Sequence, residues 1–269
     1  MKVGIYPDTG GGNATNNGFN MRKALYKYDV AGDGDYREYQ AFVPLHSIFG
    51  FCLDYNRVLR NMPIKIILNR NTNYQNCVFG ANHTNVVFKL TEITLQIEQL
   101  IPSDEALVSI NDFIAKTPKI DISFRAKACD FFTVHAGTKI KIPLGSVYSN
   151  PRYFIIVCKD PAKDKECNQN FGKLENGNIK KIKVTFGAHE YPNTAQDANF
   201  KLNKFTNFYF PLVNICRELY RHECPISVKD FKDLYTIFAI DTSAQPETGK
   251  NEVVDIKIEI ERNDILGVA

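Results

Sequence analysis

Cysteine and histidine are the residue types in this chain that could form a metal centre or a nucleophile pair. Seven cysteines are scattered along the sequence without a CxxC pair, and the five histidines never occur at HxH or HxxxH spacing. Zinc ribbons and thioredoxin-type sites need such close spacing, so neither is predicted. A Cys–His pair could still assemble in space, but no spacing singles one out. We therefore expect no catalytic residue, no metal and no cofactor, and we do not expect an enzyme.

Two groups near the start could bind phosphate or calcium. The stretch Gly10–Thr15 begins with three glycines, but no lysine follows them and no strand precedes them, as a phosphate-binding loop would require. The second group consists of four acidic residues, namely Asp29, Asp33, Asp35 and Glu38. Their spacing does not match that of an EF-hand loop. Because residues 1–40 are rich in turn formers and poor in periodicity, we interpret them as a flexible arm or linker.

Composition and charge exclude several classes of protein. Of the 269 residues, 44% are apolar and 23% charged, as is ordinary for a globular protein, and the net charge of +3 is too small to predict specific nucleic-acid binding. No segment approaches the roughly 18 apolar residues of a membrane span, so no membrane partner is expected. The first residues do not resemble a signal peptide. We expect a reducing compartment and free, mostly buried thiols.

The strongest structural signal is a one-for-one alternation of apolar and polar residues. Ile256, Ile258 and Ile260, for example, alternate with Lys257 and Glu259. A period of two places one set of side chains on a core and the other in water, which is typical of a half-buried antiparallel strand. The predicted strands are 40–44, 64–69, 86–98, 120–127, 131–135, 139–144, 152–159, 180–186, 236–241 and 253–261.

Two helices are predicted in the connections between these strands. One covers 206–222 with an apolar stripe, and a shorter one begins after Ser227, which is followed three residues later by Asp230 as in a capping box. The sequence therefore predicts an all-β fold over residues 41–269. We expect an eight-to-ten-stranded antiparallel jelly-roll sandwich with one or two helices in its connections.

One apolar block is a candidate interface. Residues 42–51 hold more apolar side chains than one strand face can bury, Pro44 limits their place in a strand ladder, and Gly50 allows a sharp bend. Monomers seldom expose apolar patches above a few hundred Å², so such a block is either covered by its own domain or marks an interface. The candidate interface residues are Phe42, Ile48, Phe49 and Phe51.

Three blocks go beyond a generic β pattern. The first block is 43–60, which contains Pro-Leu-His-Ser-Ile-Phe-Gly-Phe and leads into the predicted strand at 64. The second is 151–157, and the third is 228–245, which is followed by the predicted strand at 253. Over roughly residues 15–262 they resemble the major capsid proteins of double jelly-roll type of the Polinton (Maverick)–adintovirus group.

The resemblance implies two eight-stranded sandwiches side by side and a trimer that forms a pseudo-hexameric capsomer. In that family the first block usually follows a first jelly roll, so we expect this chain to match the C-terminal jelly-roll half, as a fragment, a split gene, or a shortened or domesticated relative. The resemblance also implies a structural virion protein that is made in the host cytoplasm or nucleus and is not secreted. Such a protein assembles with itself or with a second jelly-roll chain or domain. The alternative is a stand-alone jelly-roll binding module for carbohydrate or protein, because lectins share the fold.

Overall fold

The computed structural model describes residues 20–21, 40–55, 57–59, 62–69, 89–117, 119, 121–134, 137–145, 151–161, 172–194, 196–244 and 255–263. These residues fall into two compact units. Unit 1 holds the described residues from 40 to 130, and unit 2 holds those from 131 to 263 together with 20–21. The glycine stretch and the four acidic residues of the predicted arm lie outside the described residues.

The described residues of unit 1 form three helices: α1 (Leu45–Ile48), α2 (Gly50–Asp54) and α3 (Asp104–Lys116). The cap of α3 explains its start, because the Ser103 hydroxyl accepts a hydrogen bond from the backbone N–H of Ala106 at 3.4 Å. Acidic residues in the first turn and Lys116 in the last complement the helix dipole. None of the three was predicted, although serine followed by two acidic residues is a recognisable start signal.

Unit 2 is built on two antiparallel sheets. The four-stranded sheet has the order β1-β6-β3-β4, and the two-stranded sheet pairs β2 with β5. The strands are β1 (Lys139–Gly145), β2 (Tyr153–Val157), β3 (Ile179–Phe186), β4 (His189–Tyr191), β5 (Ile237–Asp241) and β6 (Ile256–Arg262). All but the short β4 overlap predicted strands.

The alternation in the sequence sets the two faces of the four-stranded sheet. Ile258 pairs with Ile142 on β1 and with Val184 on β3, and these side chains face the core. Glu259 pairs with Lys141 on one side and Lys183 on the other, on the outer face. Lysines on both neighbouring strands therefore flank Glu259 and Glu261 of β6, and such opposite-charge cross-strand pairs favour this strand order.

Unit 2 contains the helices α4 (Thr206–Tyr220) and α5 (Val228–Asp233), close to the predicted boundaries. The Ser227 hydroxyl accepts from the backbone N–H of Asp230 at 3.1 Å, so the predicted N-cap is confirmed. The ring of Phe208 on α4 meets that of Phe238 on β5 edge-to-face, with centroids 5.0 Å apart. This contact packs the helix onto the small sheet. No described helix has the length and apolar character of a membrane span.

Five predicted strands have no counterpart among the described residues. Those parts of 40–44, 64–69, 86–98, 120–127 and 131–135 that the structure describes lie in no strand. The described residues thus form six strands, against the eight to ten predicted. Alternation identifies side chains that share a face, but a strand also needs a neighbour whose backbone donors and acceptors match its own.

Candidate interaction surface

The structure places the four predicted interface residues on and around α1 and α2. Phe42 and Ile48 are exposed, with 62% and 45% of their surface accessible, whereas Phe49 and Phe51 are half-buried. Phe49 has an extended backbone (φ −104°, ψ 122°) and separates the two helices. The four residues therefore divide into two exposed side chains and two that are partly packed within unit 1.

Phe51 belongs to an aromatic cluster. Its ring stacks on Tyr55 at 5.1 Å and meets Phe124 edge-to-face at 5.5 Å. Such ring pairs contribute about 0.5–1.5 kcal/mol each beyond the area they bury. Phe51 thus helps to hold α2 against the 121–127 segment, and its substitution would disturb the fold of unit 1 as well as any interface.

Gly50 has a different role from the predicted bend. It is buried, and a Cβ atom at this position would collide with the carbonyl oxygen of Arg125. Close approach of two backbone segments, rather than a turn, is what requires glycine here.

A polar clamp ties the two helices to the same segment. The Asp54 carboxylate accepts a bidentate hydrogen bond from the Arg125 guanidinium, through Nε at 2.9 Å and through Nη2, and a further bond from the Arg125 backbone N–H at 2.9 Å. These bonds lower the pKa of Asp54 to about 2, although partial burial opposes the shift. Lys127 Nζ donates to the Ser47 carbonyl at 3.3 Å, which fixes α1 as well.

Apolar side chains elsewhere in unit 1 are also exposed. On α3, Val108 and Phe113 have 60% and 55% of their surface accessible, and no residue of the helix is buried. In 89–101 the large apolar residues are exposed, namely Leu90, Ile93, Leu95, Ile97, Leu100 and Ile101. By contrast, every buried hydrophobic side chain among the described residues belongs to unit 2. The described part of unit 1 therefore presents the apolar residues that an interface would need.

The structure also describes most of the residues that could bind a metal ion or act as a nucleophile. No group of three or more His, Cys, Asp and Glu side chains in the described ranges could hold a metal ion. The five described cysteines are free; Cys52 and Cys129 are exposed, while Cys158, Cys216 and Cys224 are half-buried. The expected burial of the thiols therefore holds only in part. Burial raises the pKa of the Cys216 thiol to about 11, and the neighbouring Cys224 adds to this shift.

The comparisons with known proteins agree with this architecture. The family model of the double jelly roll-like domain matches residues 13–267. The chain therefore belongs to the double jelly roll-like domain family, and its described strands form antiparallel sheets. The predicted resemblance to the double jelly-roll group is confirmed at this level. Neither the curated proteins nor the solved structures contained a match.

Proposed function

We propose that this chain is a structural, capsid-type protein of the virion, related to the Polinton–adintovirus major capsid proteins, which assembles through the flanks of its jelly roll and carries out no catalysis. Its partner is a copy of itself, as a trimer by family resemblance, or a second jelly-roll chain or domain. Membership of the double jelly roll-like family supports a structural role. The observation that carries the proposal is the exposed apolar surface of unit 1.

Burial of the exposed apolar side chains of unit 1 would favour assembly. Burial of a large apolar side chain contributes about 1.5–3 kcal/mol, and Phe42 and Ile48 are both exposed. Ile48 also lies on α1, where the Ser47 carbonyl accepts a hydrogen bond from Lys127 Nζ. A preorganised surface loses less conformational entropy on binding than a loose segment does. Phe42 and Ile48 are therefore better probes of the interface than Phe49 and Phe51, which also stabilise unit 1.

The test is the oligomeric state of the full chain, measured by size-exclusion chromatography with light scattering up to about 100 μM, where complexes with micromolar Kd are fully formed. We expect the wild type to assemble. The double variant Phe42→Ser, Ile48→Ser should weaken association about tenfold or more, since central apolar residues of interfaces often contribute over 1 kcal/mol each. The matched control changes two equally exposed apolar residues of unit 2, Leu202→Ser and Phe210→Ser, and should associate like the wild type.

Far-UV circular dichroism must show that both variants remain folded. A wild type that stays monomeric at 100 μM contradicts the proposal and favours the alternative of a stand-alone binding module. Equal association of the Phe42→Ser, Ile48→Ser variant and the wild type would show that assembly uses another surface.

A further inference from the structure

Strand β2 leaves one edge of the small sheet open. It pairs with β5 residue by residue over its whole length, and among the described residues no second strand pairs with it. The isolated bridge between Cys158 and Glu175 lies beyond the end of the strand. Ile155 and Val157 have 54% and 47% of their surface accessible. The edge of β2 that faces away from β5 is therefore open to solvent at these two residues.

The hydrogen bonds between β2 and β5 decide which backbone groups face this open edge. The carbonyl of Arg152, just before the strand, accepts a hydrogen bond at 2.8 Å from the N–H of the residue that follows β5. Since bonded and non-bonded pairs alternate along an antiparallel ladder, the next residues that bond to β5 are Phe154 and Ile156. Ile155 and Val157 therefore direct their N–H and C=O groups away from β5, and no described residue bonds to these groups.

The open edge also lacks the features that protect exposed edges. The β1 edge carries Lys139, Lys141 and Pro143, whereas β2 has the sequence Tyr-Phe-Ile-Ile-Val, without a charge, a proline or a glycine. An apolar edge with unpaired backbone donors and acceptors can accept a further strand, which supplies the missing hydrogen bonds and covers the exposed side chains. The β2 edge is therefore suited to pairing with another chain.

We propose that β2 pairs antiparallel with the β2 strand of a second copy of this chain, so that the two small sheets become one continuous sheet. In the two-fold register centred on Ile156, Ile155 of each copy lies opposite Val157 of the other, and each such pair exchanges two N–H···O=C bonds. The side chains that meet across the pair are β-branched and apolar, as cross-strand packing favours. This contact uses a different surface from Phe42 and Ile48 and does not depend on the proposed function.

Charges beside the strand favour a second copy as the occupant of the edge. In the register centred on Ile156, Arg152 of one copy comes opposite Asp160 of the other, and the two-fold symmetry repeats this pair at the other end. Both side chains are exposed. Opposite charges across a strand pair are favourable, whereas like charges are not. A register centred on Ile155 would lose both charge pairs, so the flanking charges select the proposed register and make the segment complementary to itself.

The test measures hydrogen exchange of single backbone amides in the full chain at about 0.1 μM and about 100 μM. If the Kd is about 1 μM, over nine-tenths of the chains are paired only at the higher concentration. We therefore expect the Ile155 and Val157 amides to exchange about tenfold more slowly there. The Phe154 and Ile156 amides bond to β5 in both states and are the internal controls. Association through unit 1 would not protect the Ile155 and Val157 amides, so this result is separate from the test of the proposed function.

Charge reversal tests the register. Arg152→Asp places like charges opposite each other at both ends of the pair, so it should weaken the association at least about fivefold, and the additional change Asp160→Arg should restore it. The matched control reverses another exposed charge of unit 2, Lys229→Asp, and should pair like the wild type. Protected Phe154 and Ile156 amides show that each variant is folded.

Two results would overturn the proposal. The first is equal exchange of the Ile155 and Val157 amides at both concentrations in the wild type. The second is protection of these amides that Arg152→Asp leaves unchanged, because the edge would then be covered by something other than β2 of a second copy in this register.

Discussion

Ile258→Asp should be far more destabilising than any substitution of its neighbour Glu259, because the two side chains lie on opposite faces of β6. Ile258 has 6% of its surface accessible and lies between Ile142 and Val184 in the register of the sheet. The change removes about 1.5–3 kcal/mol of apolar burial. It also leaves an unpaired polar group in the core, which costs about 1–3 kcal/mol more even when the acid is protonated. The expected loss of about 4 kcal/mol is a large part of the stability of an ordinary domain.

Glu259 differs because its partners are at the surface. Its carboxylate lies 2.7 Å from Lys141 Nζ, and this bond lowers the pKa of Glu259, yet the Lys141 side chain is 73% exposed. Exposed pairs contribute at most about 1 kcal/mol, so Glu259→Gln should cost about 0.5 kcal/mol. Glu259→Lys should cost about 1 kcal/mol, since the new charge faces Lys141 and Lys183. The sequence alone predicted no more than about 0.5 kcal/mol for this reversal.

The free energies of unfolding are measured by urea titration with far-UV circular dichroism. Ile258→Val, which should lose about 1 kcal/mol, supplies a folded core variant for comparison if Ile258→Asp does not fold. Equal losses for Ile258→Asp and Glu259→Lys would refute the reasoning, because they would mean that the register of β6 is wrong.

Three further outcomes are expected. Gly50→Ala should destabilise unit 1 by about 2 kcal/mol in a urea titration, because its methyl group displaces the Arg125 backbone; an unchanged midpoint would contradict the close approach. Asp54→Asn should lose about 1 kcal/mol at pH 7, discounted for the partial exposure of Arg125, and clearly less at pH 2. The sign follows from a folded pKa of about 2 against an ordinary 3.8: the added stability is present above about pH 4 and is lost as the pH falls through about 2, so a loss that is the same at pH 7 and pH 2 would exclude this linkage. Chelator treatment should leave the melting temperature unchanged, and a fall of several degrees would reveal a structural metal.

The sequence predicted unit 2 well because its signals there are local. The alternation predicted β1, β3 and β6 and which of their side chains face the core, as the structure confirms. Ser227 predicted the start of α5. The neighbours of each strand were not predictable, since β3 and β6 are separated by some seventy residues of chain. Their order depends on the matching of whole faces, which no single segment encodes.

The candidate site was predictable in part. An excess of apolar residues over one strand face identified the 42–51 block, but not which side chains are exposed. That division depends on Phe124 and Arg125, which are distant in sequence and cover Phe51 and Asp54. The two helices that begin in this block were not predicted for a different reason. With four and five residues, α1 and α2 are too short to show a helical period.

The contrast between the two units bears on how such a chain could assemble. Unit 2 contains the buried apolar core of the described residues, and charge pairs such as Lys141–Glu259 cover the outer face of its four-stranded sheet. Its β1 edge carries lysines and Pro143, which oppose edge-to-edge pairing with a second sheet. Association through that edge is therefore disfavoured, whereas the exposed Phe42 and Ile48 of unit 1 have no such protection. Under the proposed function, assembly therefore uses the exposed apolar residues of unit 1 rather than the β1 edge of unit 2.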